Sequence, residues 1–195
     1  MLLSFLFFIA SVITEITLFS YTTLSDLVGD SAILVDNNST VFWLFGNTNT
    51  TNRPWGTIEE NGVGKFADFT DKALRGIREL GTTHIWFTGV PHHAVIRDYS
   101  EFGISDDDPD VVKGRAGSPY AVKDYYSVNP DLAVDPARRL EEFEALIERT
   151  HANGMKVVID IVPNHVARAY ESAGKPEGVA DFGANDDTSV DGRGQ

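Results

Sequence analysis

The sequence predicts an α/β domain in which parallel strands are covered by helices. Three observations carry this. Apolar runs that lack polar alternation are interleaved with segments of helical period, in the order β-α-β-(long loop)-α-β. Both helix-to-strand joins are short and pass through glycine, at Gly81 and Gly154. Polar residues gather at the C-terminal ends of the predicted strands: Asn47, then His92 and His93, then Asn164 and His165. Two architectures fit, the open doubly wound sheet and the closed (β/α)8 barrel, and both place their chemistry at those ends. No Gly-rich phosphate loop follows any strand, which counts against a nucleotide-binding sheet.

The elements follow in order. Residues 1–40 stand apart from the rest. Met1 to Thr14 carries no charge and has the length of a signal-peptide apolar region, which would make the protein secreted or periplasmic. Yet the first basic residue is Arg53, so a non-native extension is an equal reading. Val41–Phe45 is a short apolar run ending at Gly46 and predicts a buried strand. After a polar loop, Phe66, Phe69, Ala73, Leu74, Ile77 and Leu80 recur at helical spacing. Asp68 and Asp71 lie near the start of that segment and Gly81 just past its end. Thr83–Thr88 predicts a second strand. Residues 91–134 show no periodic segment and predict a long connection, the kind that is functional or hides short elements. Asp135-Pro136 opens a second helix, with the acid as cap and Pro in the first turn. Its inner face is Leu140, Phe143, Leu146, Ile147 and Thr150, and Met155–Val162 is the third strand. Residues 184–195 are polar and Gly-containing and predict a disordered tail.

Composition bounds the function. The 195 residues carry 29 acidic and 16 basic side chains, a net charge of −13. No stretch concentrates Lys and Arg, which argues against a nucleic-acid partner and against an anionic membrane surface. The chain has no cysteine, so disulfides, thiolate metal sites and a Cys nucleophile are excluded. The acidic run Asp106-Asp107-Asp108-Pro109-Asp110 reads as a solvated loop. His92 and His93 are adjacent, and adjacent side chains diverge, so a single metal held by both is disfavoured.

Four segments carry a family resemblance. Asp160-Ile-Val-Pro-Asn164-His165 resembles the first signature region of the α-amylase family, glycoside hydrolase family 13. Ser118-Pro-Tyr120-Ala-Val-Lys-Asp124-Tyr-Tyr126-Ser-Val-Asn129-Pro is similar to the segment that precedes the family's second helix. Asp135–Gly154 is similar to that helix. Thr82–Val90 resembles the second strand, although its usual ending is replaced by Gly89-Val90-Pro91. The resemblance spans Val41 to Gly183. It implies a partial (β/α)8 TIM barrel, about the first three β/α units, over residues 41–183.

The resemblance also implies roles. Asn164 would be a ligand of a structural calcium ion, its other ligands lying elsewhere. His165 would hydrogen-bond a hydroxyl of the glucose at the cleavage point. Tyr120 would be the aromatic platform beneath that sugar ring. By their positions alone, His92, after the second strand, suits the rim of the sugar site, and Asp160, inside the third strand, reads as a structural acid held by hydrogen bonds. The substrate would be an α-1,4-glucan such as starch or a maltooligosaccharide, cleaved with retention through a covalent glycosyl-enzyme. The family takes its nucleophile and acid/base from later strands, and no Arg-x-Asp strand segment follows the third strand here; Asp191-Gly-Arg193 does not match. The chain alone is therefore expected to be inactive. A non-catalytic α-glucan-binding piece is the alternative reading. A metal-dependent barrel hydrolase using His92, His93 and Asp160 is a third.

Overall fold

A computed structural model of the chain describes residues 64–184 together with the short strands Ile16–Ser20 (β1), Val35–Asp36 (β2) and Ser39–Thr40 (β3). The predicted strand Val41–Phe45, Asn47, the apolar stretch Met1–Thr14 and the tail beyond residue 184 lie outside the described residues. Helix α1 (Asp71–Glu79) and strand β4 (His84–Phe87) form the first unit. Helix α2 (Arg139–Ala152) and strand β7 (Lys156–Ile161) form the second. Between the two units run β5 (Pro91–His93) and β6 (Val122–Val128).

Strands β1, β7 and β4 make a parallel sheet in the order β1-β7-β4. The register sets His84 opposite Lys156 and Phe87 opposite Ile159 on one side, and Ile16 opposite Val157 on the other. Part of residues 1–40, read from the sequence as a separate segment, thus contributes a strand beside β7. An open strand edge presents unpaired N–H and C=O groups, and the Ile-Thr-Leu-Phe-Ser run of β1 is strand-prone.

Alternation along β4 and β7 divides their side chains between two faces. Ile85, Phe87, Val157 and Ile159 join the core with Leu74 of α1 and with Phe143, Leu146 and Ile147 of α2. Trp86, Val158 and Asp160 take the opposite parity and are also buried. A strand buried on both faces reads as a continuous apolar run, which is why both were visible in the sequence.

Helix α1 begins five residues later than its apolar spacing, which starts at Phe66, suggested. Phe66–Asp68 is a separate 3-10 turn, and the cap is Thr70, whose hydroxyl accepts from the Ala73 amide at 3.3 Å. Ala73 is exposed, and Leu80 is 74% exposed as the residue that closes the helix, so neither belongs to the buried face. Helix α2 follows its sequence pattern closely. Asp135 caps the 3-10 turn Pro136–Arg138, its carboxylate accepting from Ala137 N at 3.0 Å, and the α-helix runs on from Arg139. Phe143, Leu146, Ile147 and Thr150 are buried, and Leu140 is partly so.

Residues 91–134 are not structureless. β5 and β6 pair antiparallel, with Pro91 opposite Val128 and His93 opposite Val122. The segment between them is fastened at several points. Ala94 N donates to Ala121 O and Ile96 N to Arg115 O, each at 3.0 Å. Asp131 receives the Arg97 guanidinium at 2.8 Å and the Tyr99 hydroxyl. The acidic run is not simply a solvated loop, because the side chain of Asp107 is only 4% exposed. Its carboxylate accepts from Val95 N at 3.0 Å and pairs at 3.0 Å with Lys123, itself 1% exposed. A buried charge needs such a partner, and this pair ties the loop to β6.

Candidate functional site

The site residues with the clearest geometry follow β7. Val158 to Ile161 are buried, and at Pro163 the chain turns out to solvent, leaving Asn164 and His165 exposed. Asn164 Nδ2 lies 3.2 Å from His165 Nδ1. The amide can only donate there, so His165 accepts at Nδ1 and carries its proton on Nε2. The ring is then left with an Nε2–H donor, suited to a hydroxyl oxygen. The Asn164 side-chain oxygen is left as an acceptor.

Tyr120 lies two residues before β6 and is 37% exposed. The same strand holds the turn after β7. Ala167 N donates to Val122 O at 2.7 Å, and Glu171 N donates to Lys123 O at 3.0 Å. Tyr120 and His165 are each two residues ahead of the Ala167–Val122 hydrogen bond, so both leave the fold from that junction. Asp124 braces it. One carboxylate oxygen accepts from Tyr126 N at 2.7 Å and the other from Ala173 N at 2.9 Å, while burial pushes its pKa up.

The structure places His92 elsewhere. It is 2% exposed, and neither ring nitrogen has a hydrogen-bond partner. It lines a cavity of about 20 Å³ with Ser105, Lys123, Asp124 and Glu171, room for a water and not for a sugar ring. Burial first, and then the Lys123 ammonium, lower its pKa to about 3, so the ring is neutral. As described, His92 does not stand on an open rim with Tyr120 and His165. The physical reason is that β5 packs antiparallel on β6 and carries both histidines inward. His93 is buried as well, with its Nε2 donating to Ala116 O at 2.9 Å.

Asp160 is inside β7, 5% exposed, and one of its carboxylate oxygens has no hydrogen-bond partner. Burial alone raises its pKa to about 6. It does not join the exposed group at the end of the strand.

Among the described residues, no group of three or more His, Cys, Asp or Glu converges to hold a metal. Asn164 supplies a single oxygen at an exposed turn, whereas calcium takes about six to eight. The described residues therefore do not by themselves fit a calcium ion. They equally give no metal cluster built from His92, His93 and Asp160. Among the described residues, no helix is long and apolar enough to cross a membrane.

Sequence reading passed over Tyr125 and Lys123. Tyr125 donates its hydroxyl to Val162 O, at the start of the turn that carries Asn164 and His165. Lys123 crosses from β6 to Ser105 O and Asp107. The only signal in the sequence was the position of both within the Ser118–Pro130 segment.

Comparison with known proteins identifies the family of the chain. The alpha-amylase family model, described as the catalytic domain of alpha amylase, matches residues 45–189. Maltase 1 of Drosophila virilis is 28% identical over 126 residues, covering 63% of this chain and 16% of its own length. The cyclomaltodextrin glucanotransferase of Geobacillus stearothermophilus is 26% identical over 138 residues, 66% of this chain and 17% of that protein. A crystal structure of an alpha-amylase from Lactobacillus plantarum is 29% identical with a TM-score of 0.44, covering 68% of this chain and 23% of that one. The chain thus spans about a sixth of the length of these two relatives. With its catalytic-domain model matched over residues 45–189, the chain belongs to the α-amylase family.

Proposed function

We propose that this chain forms about the first three β/α units of a (β/α)8 barrel that acts on α-1,4-glucans, and that it supplies part of the sugar-binding surface. The observation that carries this reading is the exposed Asn164–His165 pair at the C-terminal end of β7, with His165 offering an Nε2–H donor. Tyr120 would stack on the apolar face of a glucose ring, and His165 would donate to a hydroxyl of the same ring. Hydrogen bonds to sugar hydroxyls accelerate cleavage when they strengthen in the transition state. Asn164 would present its side-chain oxygen as one ligand of a calcium site completed by residues elsewhere. Retaining hydrolysis needs two carboxyl groups flanking the scissile bond. The exposed group after β7 contains none, so the 195-residue chain would bind glucan without cleaving it.

Titration calorimetry with maltoheptaose tests this. Saturable binding is expected, weakened about five- to tenfold by Tyr120→Ala and by His165→Ala, the loss typical of one stacking or hydrogen-bonding contact. The same protein should release no reducing sugar from starch. Absence of saturable binding by the folded chain would overturn the sugar-site reading. Sugar release by pure protein would show that its carboxyl groups had been misjudged.

A further inference from the structure

We propose that Tyr125 is a positioning residue for the Asn164–His165 pair, acting through its hydroxyl on the backbone of the turn that carries them. Tyr125 sits in β6 and is buried. Its hydroxyl donates to Val162 O, the first carbonyl beyond β7, and lies 3.4 Å from His165 O at the other end of the turn. The ring is held independently, with its centroid 5.9 Å from that of Tyr170 and 6.2 Å from that of Phe182. The second fastening is also on β6, where Val122 O accepts from Ala167 N at 2.7 Å. One strand therefore holds the turn just before Asn164 and just after His165. The Asn164 Nδ2 to His165 Nδ1 contact sets which ring nitrogen accepts and which donates, and it depends on the backbone between those two fastenings. Releasing Val162 O frees the first of them. Tyr125 itself is buried and has no path to a bound sugar, so it would act only through the turn.

Tyr125→Phe removes the hydroxyl and keeps the ring. Tyr170→Phe is the control. It removes a hydroxyl from the same aromatic cluster, one that accepts from Ser172 Oγ at 2.9 Å and from Tyr125 N at 3.4 Å and makes no hydrogen bond to the turn, so it controls for loosening Tyr125 without removing its own hydroxyl. In NMR spectra of the full chain, the Asn164 side-chain amide and His165 ring signals should move in Tyr125→Phe and stay in place in Tyr170→Phe. Maltoheptaose affinity should fall about five-fold in the first variant and less than two-fold in the second, the loss of one modest hydrogen bond. Unmoved signals in Tyr125→Phe, or equal movement in both variants, would overturn the proposal. The affinity arm rests on the glucan reading above and the NMR arm does not. A chain that binds no maltoheptaose thus refutes that reading, while the spectra still decide this one. If Tyr125→Phe folds poorly, the wild-type hydroxyl proton serves instead. A slowly exchanging Tyr125 O–H with through-space contacts to Val162 supports the proposal, and its absence overturns it.

Discussion

Gly117→Ala should destabilise the chain by about 3–5 kcal/mol, because it combines a strained backbone with a collision that cannot be relieved locally. Gly117 has φ +68°, in the left-handed region. A Cβ there would lie 1.8 Å from Ala94 O, 3.0 Å from Ala94 C and 3.1 Å from His93 Cδ2. The first two are backbone atoms. They sit where Ala94 N bonds Ala121 O and Ile96 N bonds Arg115 O, and His93 Nε2 donates to the neighbouring Ala116 O. Relieving the clash means opening this ladder, and Tyr120 lies only three residues further on. Gly103→Ala separates the two effects. Gly103 has nearly the same φ, +71°, but nothing within 4 Å of its added Cβ. It should cost about 1 kcal/mol, the penalty of the left-handed conformation alone. Urea unfolding of both variants measures the difference. Equal losses would mean that the approach of Gly117 to Ala94 is not tight in solution.

The contrast between these glycines bears on what a sequence can reveal. Both look like loop residues in a stretch without periodicity, and only the partner across the hairpin distinguishes them. The same holds for β6. The strands β4 and β7 and the inner face of α2 were legible because their buried side chains are apolar and keep the period of their element. In β6 the buried positions include Lys123, Asp124 and Ser127, so the strand shows neither an apolar run nor an alternation. Each of these polar groups is bonded to a residue distant in sequence: Lys123 to Asp107, Asp124 to Ala173, Ser127 to Arg139. The start of α1 was misjudged because Phe66 and Phe69 continue its spacing, while Thr70 takes the cap. At the site, Asn164 and His165 were legible as a polar pair ending an apolar strand. The inward placement of His92 was not, since it depends on the β5–β6 pairing and not on local pattern.

Two buried groups should give the stability profile an unusual shape in acid. His92 has a folded pKa lowered to about 3 from 6.5. Its contribution is fully present above pH 6.5 and is lost as pH falls toward 3, by about 5 kcal/mol over the whole range. Asp160 acts in the opposite sense. Its folded pKa is raised to about 6 from 3.8. Its contribution is fully present below pH 3.8 and is lost as pH rises through 6, by about 3 kcal/mol. Between pH 6 and 4 these two slopes oppose each other, and buried His93, whose pKa burial also lowers, adds to the histidine side. Removing either partner should expose the other. Asp160→Asn should be about 1–2 kcal/mol more stable than wild type at pH 7.5, the gain being reduced by a buried amide that lacks partners. It should then lose stability steadily from pH 6 downward. His92→Leu should instead lose less stability than wild type between pH 6 and 4, because one buried imidazole is gone while His93 still opposes the Asp160 carboxyl. Urea unfolding of the three proteins at pH 7.5, 6, 5 and 4 measures these differences. If Asp160→Asn is no more stable than wild type at pH 7.5 and follows the same acid profile, the Asp160 carboxylate has a partner or solvent in solution. If His92→Leu keeps the wild-type profile, the imidazole is protonated there without penalty, and the Lys123 ammonium does not face it.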